Sequence, residues 1–372
     1  MKYSLLLLIL LISQSFAQTK CQLNIGMDDS DPEIKNVIKL WNDYLNSKPD
    51  SLYNNPYWSN EEKEHYKRFD IVSQTYFTPS VYSLGYKPLI LSIKRIKDYY
   101  EIKTAFYAYG QTSKKIGILA TINVLAKKVN GEYRLFNALT ENRKSLQKQS
   151  YGSITYYYPL DYEFNESKAL EMKKFIEDFT KKFGFEQIPV AYYIGNDFDD
   201  AMKIVGFDNY LSMGGPFVPK GFSDTKNHII LSGGQGEYYP HEIVHQYINP
   251  LFENGHHVFI EGFASLCGGS LLGHPIPWHV KRLDKYLDEH PELNLNDLLE
   301  FYEMDSYTNP QYIYGAVLCD LAMKKGGFEE VKKLFAYGTE DKDFYLALEK
   351  EFGVNKDDLN KFIRSKIKEL VI

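Results

Sequence analysis

His241-Glu242-Ile243-Val244-His245 lies between Pro240 and Pro250 and carries two of the chain's nine histidines at a spacing of four. Proline fits the first turn of a helix and cannot continue one, so the two prolines bracket a short helix. Residues four apart on a helix share a face, with Cβ atoms roughly 5–6 Å apart. Two imidazoles so placed can bind one tetrahedral Zn²⁺, whose bonds to histidine nitrogen are about 2.0–2.1 Å. Glu242, between them, reaches the position where a water would sit, and a carboxylate there can take that water's proton as it attacks a carbonyl. Ile243, Val244 and Tyr247 supply the buried side of the helix. Such a centre needs a third ligand and a scaffold.

Upstream, Ile154 to Tyr158 reads as a strand ended by Pro159. Ser167 to Phe183 reads as a helix with Leu170, Phe175, Ile176 and Phe179 on its apolar face and Gly184 as its stop. Pro189 to Ile194 is a second strand, Asp197 to Val205 a helix, and His228 to Ser232 a third strand just before the histidine helix. Downstream, Phe259-Ile260-Glu261-Gly262-Phe263-Ala264-Ser265-Leu266 begins another helix. Amphipathic helices are expected over Trp278 to Leu287 and Leu293 to Phe301. Tyr312-Ile313-Tyr314-Gly315-Ala316-Val317 opens a helix that stops at Gly326-Gly327, and Phe328 to Leu370 is helical.

The residues leave four candidates for the third ligand: Glu253, His256, His257 and Glu261. The metzincin spacing would need a histidine six residues after His245, where Leu251 stands. HEIVH, EGFAS and the tyrosine segment together resemble the peptidase MA-like gluzincins, relatives of the M1 aminopeptidases, over residues 151–372. The resemblance implies a zincin-type fold with Glu261 as third ligand, Zn²⁺ as metal, and an edge strand beside the metal that binds the substrate backbone. It also implies that Tyr312, with Tyr314 as second choice, donates a hydrogen bond to the oxyanion. Some residues depart from that pattern. Ile260 replaces the asparagine that often precedes the ligand glutamate, and Ser265 cannot act as the carboxylate that orients a ligand histidine in related enzymes. Met213-Gly214-Gly215-Pro216 has no acid to hold a free amine, as an aminopeptidase would need.

The first half of the chain has a different pattern. Asp31-Pro32-Glu33 opens a helix whose apolar positions Ile34, Val37, Ile38, Trp41, Tyr44 and Leu45 form one stripe. A further helix is expected near Glu61 to Arg68. Leu89 to Ile96, Tyr99 to Tyr109, Lys115 to Val129 and Glu132 to Leu139 read as strands, with Asn130-Gly131 as a two-residue hairpin turn. A helix followed by a curved antiparallel sheet resembles the NTF2-like fold. Arg143 to Gly152 is polar and reads as a linker.

Lys2, the apolar run Leu5 to Ile12 and Ser15-Phe16-Ala17 form a secretory signal with a cleavage site before Gln18. Gln18-Thr19-Lys20 is a poor lipoprotein signal, which argues against lipid anchoring at Cys21. No segment approaches the roughly 18 apolar residues of a transmembrane helix. Cys267 and Cys319 are either one disulfide of an oxidising compartment or two buried thiols. With a net charge of −6 and no basic stripe, nucleic-acid binding is excluded.

The expected protein is therefore an α+β chain: signal peptide 1–17, NTF2-like accessory domain 22–145 and gluzincin domain 151–372. Its expected function is that of a secreted or periplasmic zinc peptidase acting on peptide or protein substrates. The alternative is a non-catalytic binding protein on a gluzincin scaffold.

Overall fold

The computed structural model describes residues 20–47, 55–74, 80–215, 220–270, 273–302, 304–305 and 307–371. The expected signal segment and Pro216 lie outside them. The chain mixes helices with two mixed sheets. After a two-residue strand, β1 (Gln22–Leu23), Asp31 caps the first helix by accepting a hydrogen bond from the Glu33 amide. That helix, α1 (Pro32–Leu45), buries Val37, Trp41 and Tyr44 from the expected stripe, and Leu40 beside them. Two short helices follow, α2 (Asn60–His65) and α3 (Ile71–Gln74). The expected strands then form a meander: β2 (Lys87–Ile96), β3 (Tyr99–Tyr109), β4 (Ile116–Val129) and β5 (Glu132–Asn137), ending in α4 (Ala138–Asn142). Asn130 and Gly131 turn β4 into β5 with φ of 52° and 86°, the left-handed pair a tight hairpin demands. Register breaks at Ile90/Ser92 and Phe106/Tyr107 bend the sheet.

A second sheet follows, made of β6 (Gln147–Tyr151), β7 (Ile154–Tyr158), β8 (Val190–Gly195), β10 (Gly221–Asp224) and β11 (Ile229–Gly233) in the order β10-β11-β8-β7-β6. Helices α5 (Glu166–Phe183) and α6 (Phe198–Val205) and a short strand, β9 (Phe207–Tyr210), interleave with these strands. The central strands β11, β8 and β7 are parallel and the two outer ones antiparallel. Successive side chains point to opposite faces. Tyr192, Ile194 and Ile230 accordingly enter one core, while Tyr193, Ile229 and Leu231 enter another that also holds Trp41 and Phe106. Burial on both faces explains why these strands read as unbroken apolar runs.

Two departures from expectation stand out here. Arg143 to Gly152, expected as a linker, holds a 3-10 turn (Arg143–Ser145) and the strand β6. As an edge strand exposed on both sides, Gln147-Lys148-Gln149-Ser150 needs no apolar alternation, only backbone pairing with β7. The other is β9, which leaves the second sheet and pairs with β4 of the first. Gly206 permits this reversal straight out of α6: its φ is +111°, and a Cβ there would lie 2.9 Å from the Asn123 carbonyl oxygen.

The remaining chain is helical: α7 (Pro240–Ile248), α8 (His257–Gly268), α9 (Ile276–Glu289), α10 (Pro310–Gly326), α11 (Phe328–Phe335), α12 (Asp341–Phe352) and α13 (Leu359–Val371). Leu293 to Phe301, expected as a helix, is instead two 3-10 turns broken at Asp297 (φ −97°, ψ 60°). Side chains of α13 take over its backbone partners: Asn360 accepts from the Leu295 amide at 3.2 Å, and Arg364 donates to the Leu293 carbonyl at 2.7 Å. Among the described residues, no helix is long and apolar enough to cross a membrane.

Helices α8 and α10 meet backbone to backbone. A Cβ on Gly315 would fall on the Val258 carbonyl oxygen and lie 2.9 Å from Gly262 Cα. The glycines of the E-G-F-A and Y-I-Y-G-A segments are thus each other's contact. Gly315→Ala is expected to destabilise the fold by about 1–3 kcal/mol, the usual cost of overpacking. The check is the midpoint of denaturant unfolding, and an unshifted midpoint would contradict so close an approach.

Candidate metal centre

Every residue of α7 is buried. Gln246 fastens the helix to the second sheet by donating to Ser223 Oγ at 2.7 Å and to the Ile229 carbonyl at 3.2 Å. Ser223 in turn donates to the Glu242 carbonyl at 3.2 Å. Helix α8 runs back along α7, so that Gly268 lies against Pro240 and His241: a Cβ there would come within 2.7 Å of His241 Cα.

Three donor atoms converge between these helices. His241 Nε2 is 3.1 Å from His245 Nε2 and 3.2 Å from Glu261 Oε2, and His245 Nε2 is 3.5 Å from the same oxygen. This cluster could hold a metal ion. The far nitrogen of each ring is tied to an acceptor: His241 Nδ1 donates to the Gly269 carbonyl at 2.9 Å, and His245 Nδ1 to Asn249 Oδ1 at 3.1 Å. With the proton held on Nδ1, the lone pair of each ring lies on Nε2, facing the other donors. Gly269 and Asn249 are the orienting partners that sequence reasoning did not supply. Asn249 stands four residues after His245, a helical spacing that could have revealed it, whereas a backbone carbonyl leaves no sequence signal.

Three lone-pair donors around one point require a cation. With no metal, a proton serves. Burial alone would push His245 down, but the charge and hydrogen bond of Glu261 hold it up at about 9. Burial acts to raise Glu261, yet the facing imidazoles pull it well below the usual carboxylate range. Glu242 is also buried, and its carboxylate has no hydrogen-bond partner among the described residues. Burial pushes its pKa up, opposed by the two histidines.

The other expected positions separate cleanly. Glu253 forms a surface ion pair with Lys226. His256 caps α8, accepting from the Val258 amide at 3.3 Å, and burial lowers its pKa to about 4. His257 Nε2 lies 3.3 Å from Gln311 Oε1. None of the three belongs to the donor cluster. Tyr312 stacks on His241 with ring centroids 6.3 Å apart, and the charge of Glu261, burial and the charge of Glu242 push its hydroxyl well above the phenol range. Tyr314 is fully buried, with its ring 6.3 Å from Phe301.

Sequence reasoning also missed Tyr239 and β10. Tyr239 stacks on His241 at 6.2 Å, and burial with the charges of Glu242 and Glu261 keeps its hydroxyl protonated. The strand before α7, β11, is internal, and β10 forms the edge beside the site. Its Gly221 passes so close that a Cβ would fall on the Tyr239 ring and lie 3.2 Å from Glu242 Cγ. Cys267 and Cys319 are free thiols, and burial raises Cys267 to about 12.

Compared with known proteins, the chain matches no protein-family model and is similar to no curated protein.

Proposed function

We propose that this chain is an exported zinc-dependent peptidase of gluzincin type, with an NTF2-like N-terminal part and a zincin-type C-terminal part. The observation that carries the reading is the size of the donor triangle. Ligand atoms on a tetrahedral ion with bonds of about 2.0–2.1 Å stand roughly 3.3–3.4 Å apart. The three separations here, 3.1, 3.2 and 3.5 Å, bracket that value. Two imidazoles and a carboxylate also suit zinc, and both rings already present their lone pairs inward.

Zinc held by His241, His245 and Glu261 would polarise a carbonyl oxygen and lower the pKa of water beside it toward about 7. Glu242, raised in pKa and with a carboxylate that has no hydrogen-bond partner among the described residues, is suited to take the proton of the attacking water and hand it to the leaving amine. Tyr312, kept protonated, can donate a hydrogen bond to the carbonyl oxygen as it gains charge. The edge strand β10 offers main-chain groups to an extended substrate, and Gly221 allows that backbone to pass directly over Glu242. The leader Lys2 to Ala17 supports export.

The test is turnover of a complex peptide mixture, read by mass spectrometry alongside metal analysis. Cleavage is expected to stop when a chelator strips the metal and to return with added zinc. Full zinc occupancy without any cleavage would leave the non-catalytic binding scaffold as the better reading. Cleavage by verified metal-free protein would defeat the proposal.

A further inference from the structure

At one end of the first sheet, apolar and basic side chains are exposed together. Strand β2 begins there at Lys87, β3 ends at Tyr109 and β4 begins at Ile116, with Lys87 opposite Tyr107, Tyr107 opposite Ile118 and Tyr109 opposite Ile116. Tyr107, Tyr109, Ile116 and Ile118 therefore share a face, since side chains repeat every two residues. Ile116 is 66% exposed, Tyr109 49% and Ile118 47%. The last residue of β9, Tyr210, pairs near Ala120, which sends Leu211, 66% exposed, toward the same end. Large aliphatic side chains this open are normal one at a time, but a group of them on one sheet end marks a contact surface.

The charge around them is of one sign. Lys114 and Lys115 stand at the hairpin tip, Lys87 starts β2, and Lys20 precedes β1, which runs parallel to β2 with Gln22 beside Leu89. All four lysines are exposed and none has an ion-pair partner among the described residues. Most other lysines on this molecule are paired, including Lys103 with Asp208 a short way along the sheet. The four stretches that meet here, 20–22, 80–88, 106–119 and 209–215, contain no Asp or Glu, in a chain whose net charge is −6. The tip is held by backbone bonds, Lys114 amide to Gly110 carbonyl at 2.8 Å and Gly110 amide to Lys115 carbonyl at 2.9 Å. Its lysines thus stand on a loop closed by its own backbone bonds.

We propose that this end of the first sheet docks the protein onto an anionic lipid surface. Isoleucines and tyrosines reach the boundary between head groups and acyl chains, as interfacial residues do, while the lysines stay level with the anionic head groups. The acidic remainder of the molecule is repelled by the same surface, which orients the protein with this end down. The site requires neither a spanning helix nor the metal centre.

The full chain is to be co-sedimented with vesicles of equal parts phosphatidylglycerol and phosphatidylcholine, and with vesicles of phosphatidylcholine alone. Wild type is expected to bind the anionic vesicles, to bind the neutral ones far less, and to be released as salt rises. Reversing both tip charges, Lys114→Glu with Lys115→Glu, is expected to weaken partitioning at least twentyfold, from roughly fivefold for each lysine near such a surface. Reversal of Lys173 and Lys174 on α5 should leave binding unchanged. Equal binding to both vesicle types, no binding to either, or equal losses from the α5 pair and the tip pair would each overturn the proposal. Retention on immobilised polyglutamate without vesicle binding would make the partner an acidic polypeptide and reject the lipid assignment.

Discussion

Replacing Glu242 with glutamine is expected to lower kcat by about 10²–10⁴-fold, the range that a positioned general base contributes, while leaving the metal content unchanged. Glutamine has almost the same shape, so the close approach of Gly221 to the side chain can be kept. It cannot accept a proton from water. None of the three converging donor atoms belongs to residue 242, so nothing that would hold the metal is removed. The folded state should not suffer either. Burial already disfavours the charge on Glu242, and the carboxylate gives up no hydrogen bond to another described residue when it is replaced. The variant should therefore unfold at a denaturant concentration no lower than wild type. Activity within tenfold of wild type, with metal intact, would remove Glu242 from the mechanism.

How far the fold and site could be read from the chain depended on how locally each feature was encoded. Asp31-Pro32, Asn130-Gly131 and Pro240 announce their own backbone conformations, and those elements stand where they were expected. The parallel strands β8 and β11 were also legible, because burial on both faces requires unbroken apolar sequence. Strands β6, β9 and β10 were not. They are short and lie at sheet edges or cross between sheets, so their sequences carry no alternation, and their pairing is set by partners far along the chain. The metal centre divides in the same way. The helical spacing of His241 and His245 is local information. The nearness of Glu261 depends on α8 doubling back, and residues alone left it level with Glu253, His256 and His257. Tyr239 sits two residues before His241, yet nothing local reveals that its ring turns back onto that histidine.

Glu261→Ala tests the half of the centre that residue spacing could not decide. The change removes one of three donors and the only negative one. Metal affinity is expected to fall by more than the roughly 10–100-fold that losing an outer hydrogen-bond partner costs a metal site. Zinc should then be lost on dialysis against buffer. The metal-free protein offers an independent readout. His245 stands at about 9 because burial, which lowers it, is outweighed by the charge and hydrogen bond of Glu261 together with the charge of Glu242 and the hydrogen bond to Asn249. With alanine at 261 burial acts with less opposition, so the imidazole should titrate below its wild-type value, as NMR of the ring carbons can follow. The same competition sets the pH dependence of metal binding in the wild type. A proton on His245 must leave before the metal can bind, so apparent affinity should level off above pH 9 and fall about tenfold for each unit below it. In the alanine variant any residual affinity should level off at a lower pH, because the competing proton is held less tightly. Full zinc retention after dialysis would place the third ligand elsewhere. An unchanged His245 titration would mean that Glu261 does not face the ring.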